Sequence, residues 1–209
     1  MMCFSGYSWL WPPFRYYFKK YADFHTRVYL ASEFGVASNG DPYFEDIRTG
    51  QGEWSDRLIT AIKKIEEPRF WLFLEDYWLS KPWTAEEFEA MSDWEGKSVD
   101  AWRFAPGSSF VTIEGDRYVQ NSKYTVSFQP TLWEKRFLLS ILKPGENPWQ
   151  AEIGGTARCN RLHRSHKIFF TEWHGLENVF RASLQGHDPG LTEKGKEMFH
   201  EFIHRETPE

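Results

Sequence analysis

Phe70–Leu74 is an unbroken apolar run that ends on two adjacent acids, Glu75 and Asp76, followed by Tyr77 and Trp78. Carboxylates at the tip of a buried strand can hold a divalent cation through oxygen, and that cation can neutralise a diphosphate. In open α/β sheets, ligands bind beyond the carboxyl ends of the strands, where such a tip would lie. The plainer alternative is a strand-to-loop junction whose acids face water. A second acidic stretch is ENPWQAEIGG, residues 146–155. Glu146 and Glu152 flank Trp149, which could offer a ring to a sugar face, and two glycines that let a backbone approach a ligand closely. Partial burial would raise the pKa of Glu152 and suit it to accept a proton. His163 and His166 have HxxH spacing, but no third ligand accompanies them, and His174 is at most an accessory phosphate or metal contact.

Several chemistries lack their sequence marks. There is no GxSxG, no GxxxxGK[ST] and no GxGxxG, which argues against serine hydrolysis, P-loop hydrolysis and dinucleotide redox chemistry. The net charge of -5 gives no general attraction to nucleic acid, leaving one local basic stretch at 158–167. Two cysteines, Cys3 and Cys159, are too few for a disulfide framework. The N-terminus has no charged and apolar leader pattern, and no run reaches membrane-span length. A soluble, reduced, cytoplasmic protein is expected. Aromatic residues make up 18%, with 11 tryptophans, which serve either as core or as stacking platforms.

The elements that must position these residues follow from periodicity. Pro12 and Pro13 open a helix running to about Tyr21. Residues 26–33 read as a strand and 34–53 as a loop. Ser55 is the expected N-cap of a helix carrying Leu58, Ile59, Ile62 and Ile65, stopped by Pro68. The run 70–74 then reads as a central strand covered on both faces. The order β-α-β-α-β implies a parallel sheet flanked by helices. Further on, 84–94 reads as a helix, 98–105, 109–115 and 124–130 as strands, 132–142 as a helix, 143–156 as a loop and 193–205 as a helix. One α/β domain, mixed in its C-terminal half, is expected over 1–209.

Taken in order, SGYSWLWPPFRYYFKKY, VYLASE, GEWSDRLITAIKKI, FWLFLEDYWLSKP, YTVSFQPTLWEKRFLLSIL and ENPWQAEIGG resemble small GT-A-fold, nucleotide-sugar-dependent glycosyltransferases. That group occurs in bacterial surface-glycan clusters and in large viruses and phages. The likeness spans roughly residues 5–156. It implies a Rossmann-like, mostly parallel central sheet, with a nucleotide-sugar half over 1–80 and an acceptor and catalytic half over 95–156. Residues 157–209 are then a C-terminal extension. By the same resemblance Ser5 and Tyr7 hold the base, and Trp54, Ser55, Asp56 and Arg57 line the donor. Glu75 and Asp76 take the DxD role, with Asp76 the metal ligand for Mn²⁺ or Mg²⁺. Gln129, Trp133 and Trp149 border the acceptor, and Glu152 is the base of an inverting transfer. The implied partners are a nucleotide-diphosphate sugar, UDP-sugar favoured, and a glycan or other hydroxyl acceptor. Two alternatives remain open: a phage enzyme that glycosylates modified DNA bases, and a non-catalytic carbohydrate- or nucleotide-binding module.

Overall fold

The computed structural model describes residues 1–24, 26–92, 99–104, 110–113, 116–119, 124–162, 168–170, 175–181 and 190–205. The chain begins extended through Met2, makes a 3-10 turn over Ser5–Leu10 and enters α1, Trp11–Tyr21, with prolines in its first turn as expected. A two-residue β1, Ala22–Asp23, precedes β2, Tyr29–Ser32. The expected loop 34–53 contains a further strand, β3, Glu45–Arg48. Only Ile47 of that strand is buried, so its sequence carries almost no apolar signal.

The next helix, α2, is Trp54–Lys64, with Glu53 rather than Ser55 at its N-cap. β4, Arg69–Leu72, leads into the acidic tip, followed by β5, Tyr77–Leu79, and β6, Trp83–Thr84. After α3, Ala85–Ser92, come β7, Ala101–Arg103, β8, Phe110–Ile113, and β9, Asp116–Val119. The expected strand at 124–130 is instead irregular, and the strand β10 is Thr131–Glu134. Helix α4, Lys135–Ile141, starts after it because the Glu134 side chain caps Phe137 N.

The stretch 143–156, expected as a loop, is half helix: α5 spans Pro148–Arg161. Asn147 and Gln150 form a reciprocal capping box, 2.9 and 3.0 Å, and Pro148 fits the first turn. The two glycines masked this helix in the sequence. Gly155 is there for packing, since a Cβ would stand 3.3 Å from Val126 Cγ1. The chain closes with β11, Ile168–Phe170, β12, Leu176–Asn178, β13, Phe180–Arg181, β14, Gly190–Leu191, and α6, Glu193–Ile203.

The largest sheet has six strands in the order β4-β10-β7-β11-β9-β8. It is mixed rather than mostly parallel: β7 and β11 run parallel, and its other pairs are antiparallel. Two strands cause this: β10 runs backwards between β4 and β7, and β9 between β11 and β8. Met2 extends the array, with parallel bridges to both Ala31 and Leu74. Its N–H donates to Phe73 O at 2.9 Å, and Cys3 N donates to Ala31 O at 2.8 Å. Through Met2 the parallel pair β2–β3 joins the end of β4.

The apolar run alternates as a doubly covered strand must. Leu72 and Leu74 face α2 and α4, while Trp71 and Phe73 face α1. α5 packs with α2 and α4, and α6 with α1. Most of the described tryptophans are framework: Trp78, Trp83 and Trp133 are at most 1% exposed, whereas Trp9 and Trp149 are about 40% exposed. The described part of 157–209 is built into the molecule. β11 lies inside the six-stranded sheet, and β12 pairs with β5.

Candidate functional site

The Met2 segment, β2, β4, β7 and β11 all point the same way, so their carboxyl ends share one rim. From Met2 the sheet grows through β2 to β3 on one side and through β4 on the other. The strand ends beside such a reversal are the favoured ligand position in sheets of this kind. Phe4–Tyr7, Glu33, Glu75, Asp76 and Arg103 all follow or end strands on this rim.

The inner part of the rim is closed. Arg57 Nη1 donates to Glu33 Oε1 at 2.7 Å and to Cys3 O at 3.3 Å, with both side chains under 10% exposed. The other Glu33 oxygen accepts from Ser5 N at 3.2 Å, and Glu75 Oε1 accepts from Phe4 N at 3.2 Å. Two acids therefore hold the turn after Met2. Burial, and then the neighbouring Asp76, push the Glu75 carboxyl up to about 8, while Phe4 N–H and Arg57 act against them.

The outer part is incompletely paired. Asp76 Oδ2 accepts from Asn178 Nδ2 at 3.1 Å, and Oδ1 has no partner among the described residues. Burial raises this carboxyl to about 6. The Tyr77 phenol is raised chiefly by burial, then by Asp76, and the side chains of Asn178 and Gln129 act against the rise. Across from it, Glu152 Oε1 accepts from Phe128 N at 2.7 Å and from Ser127 Oγ at 3.0 Å. Burial raises Glu152, and those two donors and Arg103 oppose the rise. Arg103 ends β7 at 2% exposure, donates from Nη1 to Tyr124 O at 3.0 Å, and leaves Nε unpartnered. Glu152, Gly155, Thr156 and Cys159 form one helical face of α5. Thr156 Oγ1 accepts from Val126 N at 3.0 Å, fixing the 126–128 segment that holds Glu152.

Of the residues expected from sequence, Asp76, Gln129 and Glu152 come together through Tyr77 and Arg103. Ser5 and Tyr7 lie on the inner rim, where Tyr7 packs on Phe180 with ring centroids 4.9 Å apart. Four others are buried away from this cluster's partly exposed side chains. Trp133 is 0% exposed on β10, and Trp54 is 8% exposed with its ring against Phe128. Ser55, also fully buried, accepts from Glu146 N at 2.9 Å, and Arg57 is locked by Glu33. Asp56 accepts from Gly145 N at 3.2 Å. The WSDR stretch thus braces loops. Glu146 forms a two-pronged pair with Arg158 at 2.8 and 2.6 Å. Trp149 lines a separate open groove with Lys143, Pro144 and Ile153. His163, His166 and His174 lie outside the described residues.

Arg103 and Asn178 were not anticipated. Arg103 closes an apolar strand, a detectable signal, but Asn178 reaches Asp76 only because β12 pairs with β5. Among the described residues no three His, Cys, Asp or Glu side chains converge as a metal site. An apolar cavity of about 450 Å³ lies at the amino ends of the strands, beside Val28, Arg69 and Phe70, away from this polar cluster. No described helix is long and apolar enough to cross a membrane. No protein-family model and no curated protein matches the chain.

Proposed function

We propose that the protein is a GT-A-like glycosyltransferase, moving a sugar from a nucleotide-diphosphate donor to a hydroxyl acceptor with inversion. The observation that carries this reading is the gathering of Asp76, Tyr77, Gln129, Arg103 and Glu152 beside the sheet's reversal at Met2. The donor's nucleotide is assigned to the strand ends next to Phe4–Tyr7. Asp76 faces its diphosphate with the unpartnered Oδ1. That oxygen suits Mn²⁺ or Mg²⁺, which takes one or two carboxylates and completes its shell with phosphates and water. When bound, the metal supplies positive charge to the leaving diphosphate.

Glu152 accepts the acceptor's proton. Both of its hydrogen bonds end on Oε1, so Oε2 is the oxygen left for the acceptor hydroxyl. Burial raises its affinity for a proton, while Phe128 N–H, Ser127 and Arg103 keep the charged form accessible. As the acceptor oxygen attacks from the face opposite the leaving group, these acids also stabilise oxocarbenium-like charge.

The test is a thermal-shift panel of UDP-, GDP- and CDP-sugars, with and without Mn²⁺, on wild type and Asp76→Asn. One nucleotide class should raise Tm only with Mn²⁺, and Asp76→Asn should abolish that Mn²⁺-dependent shift. No shift with any nucleotide sugar would sink the donor site. A second reading, a binding module without turnover, is favoured by one observation. Glu75, half of the acidic pair, is already engaged by Phe4 N. That reading predicts ligand-induced shifts without sugar release or transfer.

A further inference from the structure

Arg103 is an incompletely paired buried cation. Its residue is 2% exposed, its Nε has no partner, and Nη1 makes its one hydrogen bond among the described residues, to a neutral carbonyl. No carboxylate of the described residues lies within ion-pair distance of it. A buried charge without a counter-ion is costly, and wherever the purpose is structural it is normally paired, as Arg57 is by Glu33. Glu152 and Tyr77 are near enough to act on the guanidinium charge, so Arg103 lies beside the base rather than in remote core. Tyr77, Gln129 and Glu152, beside the buried Arg103, are only partly buried, so the cluster reaches solvent on their side.

We propose that Arg103, with Tyr77 and Gln129, forms an oxyanion subsite that selects an acceptor carrying a carboxylate or phosphate next to the reacting hydroxyl. The planar guanidinium suits such an anion, because its N–H fork matches paired oxygens. Gln129 and the Tyr77 hydroxyl add neutral donors beside it. An anion here would complete the pairing of Arg103, and Arg103 would offset its repulsion from Glu152. A neutral sugar would leave the cation unpaired, so the site discriminates by what a wrong substrate fails to supply. The substrate class is then a uronic-acid-bearing or phosphorylated sugar. This rests on the glycosyltransferase reading for the identity of the neighbouring hydroxyl.

The experiment measures binding of glucuronate, glucose 6-phosphate and glucose by calorimetry, each with and without UDP and Mn²⁺. Wild type should bind at least one charged sugar tenfold or more tighter than glucose. Comparison of the two anions separates carboxylate from phosphate. Arg103→Gln should erase the preference, and Arg103→Lys should retain part of it. Because wild type is compared across three sugars, the result stands even if a variant fails to fold. Equal affinity for all three sugars, binding of none, or a preference that survives in Arg103→Gln overturns the subsite. UDP binding is read in the same series. UDP binding without anion preference overturns this inference alone, whereas anion preference without UDP binding overturns the donor assignment instead.

Discussion

The inner and outer halves of the rim use the same residue types to opposite ends. On the inner half, Glu33 meets Arg57 and Ser5 N, and Glu75 meets Phe4 N. On the outer half, Asp76 and Arg103 keep polar atoms without a partner among the described residues, and Glu152 uses one oxygen for both of its bonds there. Adjacent acids in sequence, Glu75 and Asp76, fall on different sides of this division. Satisfied groups hold a loop in place, while incompletely satisfied ones retain capacity to interact with something outside the protein.

The largest effect expected from this contrast is on stability at the inner half. Glu33→Ala leaves Arg57 buried and uncompensated, and it should cost about 3–5 kcal/mol in denaturant unfolding. A loss below about 1 kcal/mol would mean that the inner half is not a structural clamp. Glu152→Gln sharpens the other side. It keeps an oxygen for Phe128 N and Ser127, so stability should hold while transfer falls about 100- to 10,000-fold. Unchanged transfer would remove Glu152 as the base.

A smaller effect separates the two acids of the tip. Glu75 titrates near 8 in the folded protein and at its ordinary 4.5 when unfolded. Between those values the folded state holds the extra proton, so stability falls as pH rises from about 4.5 and levels off above about 8. Asp76 acts in the same sense only up to about 6. Glu75→Gln should therefore flatten the stability profile between pH 6 and 8 while a slope remains below 6. An unaltered slope above pH 6 would show that Glu75 is not the group responsible.

How much of this was legible in sequence varies with the range of the interactions. The apolar run into Glu75 and Asp76 announces a doubly covered strand, and the alternation of Leu72 and Phe73 between two cores bears that out. The helices α1, α2 and α6 carry their own periodicity or stop signals. By contrast, α5 was hidden because Gly154 and Gly155 imitate a loop, although the capping box Asn147–Gln150 was present in sequence. β3 was hidden because an edge strand with one buried residue has no alternating pattern to read. Trp133 looked like a contact residue by type. Its place between β4 and β7 made it core.

The sequence by itself determined the α/β class, the strand that ends in acids, and Asp76 and Glu152 as candidates, because local periodicity and side-chain chemistry suffice for these, whereas Gln129 came only from the resemblance. Only the tertiary structure decided which polar groups are spent. Arg57 is consumed by a residue 24 positions away, Asp76 meets Asn178 from 102 positions away, and Glu152 is held by a segment 24 positions before it. Such partners are chosen by strand pairing and helix packing. The chemistry left over is therefore a property of the fold, and it is invisible to spacing along the chain.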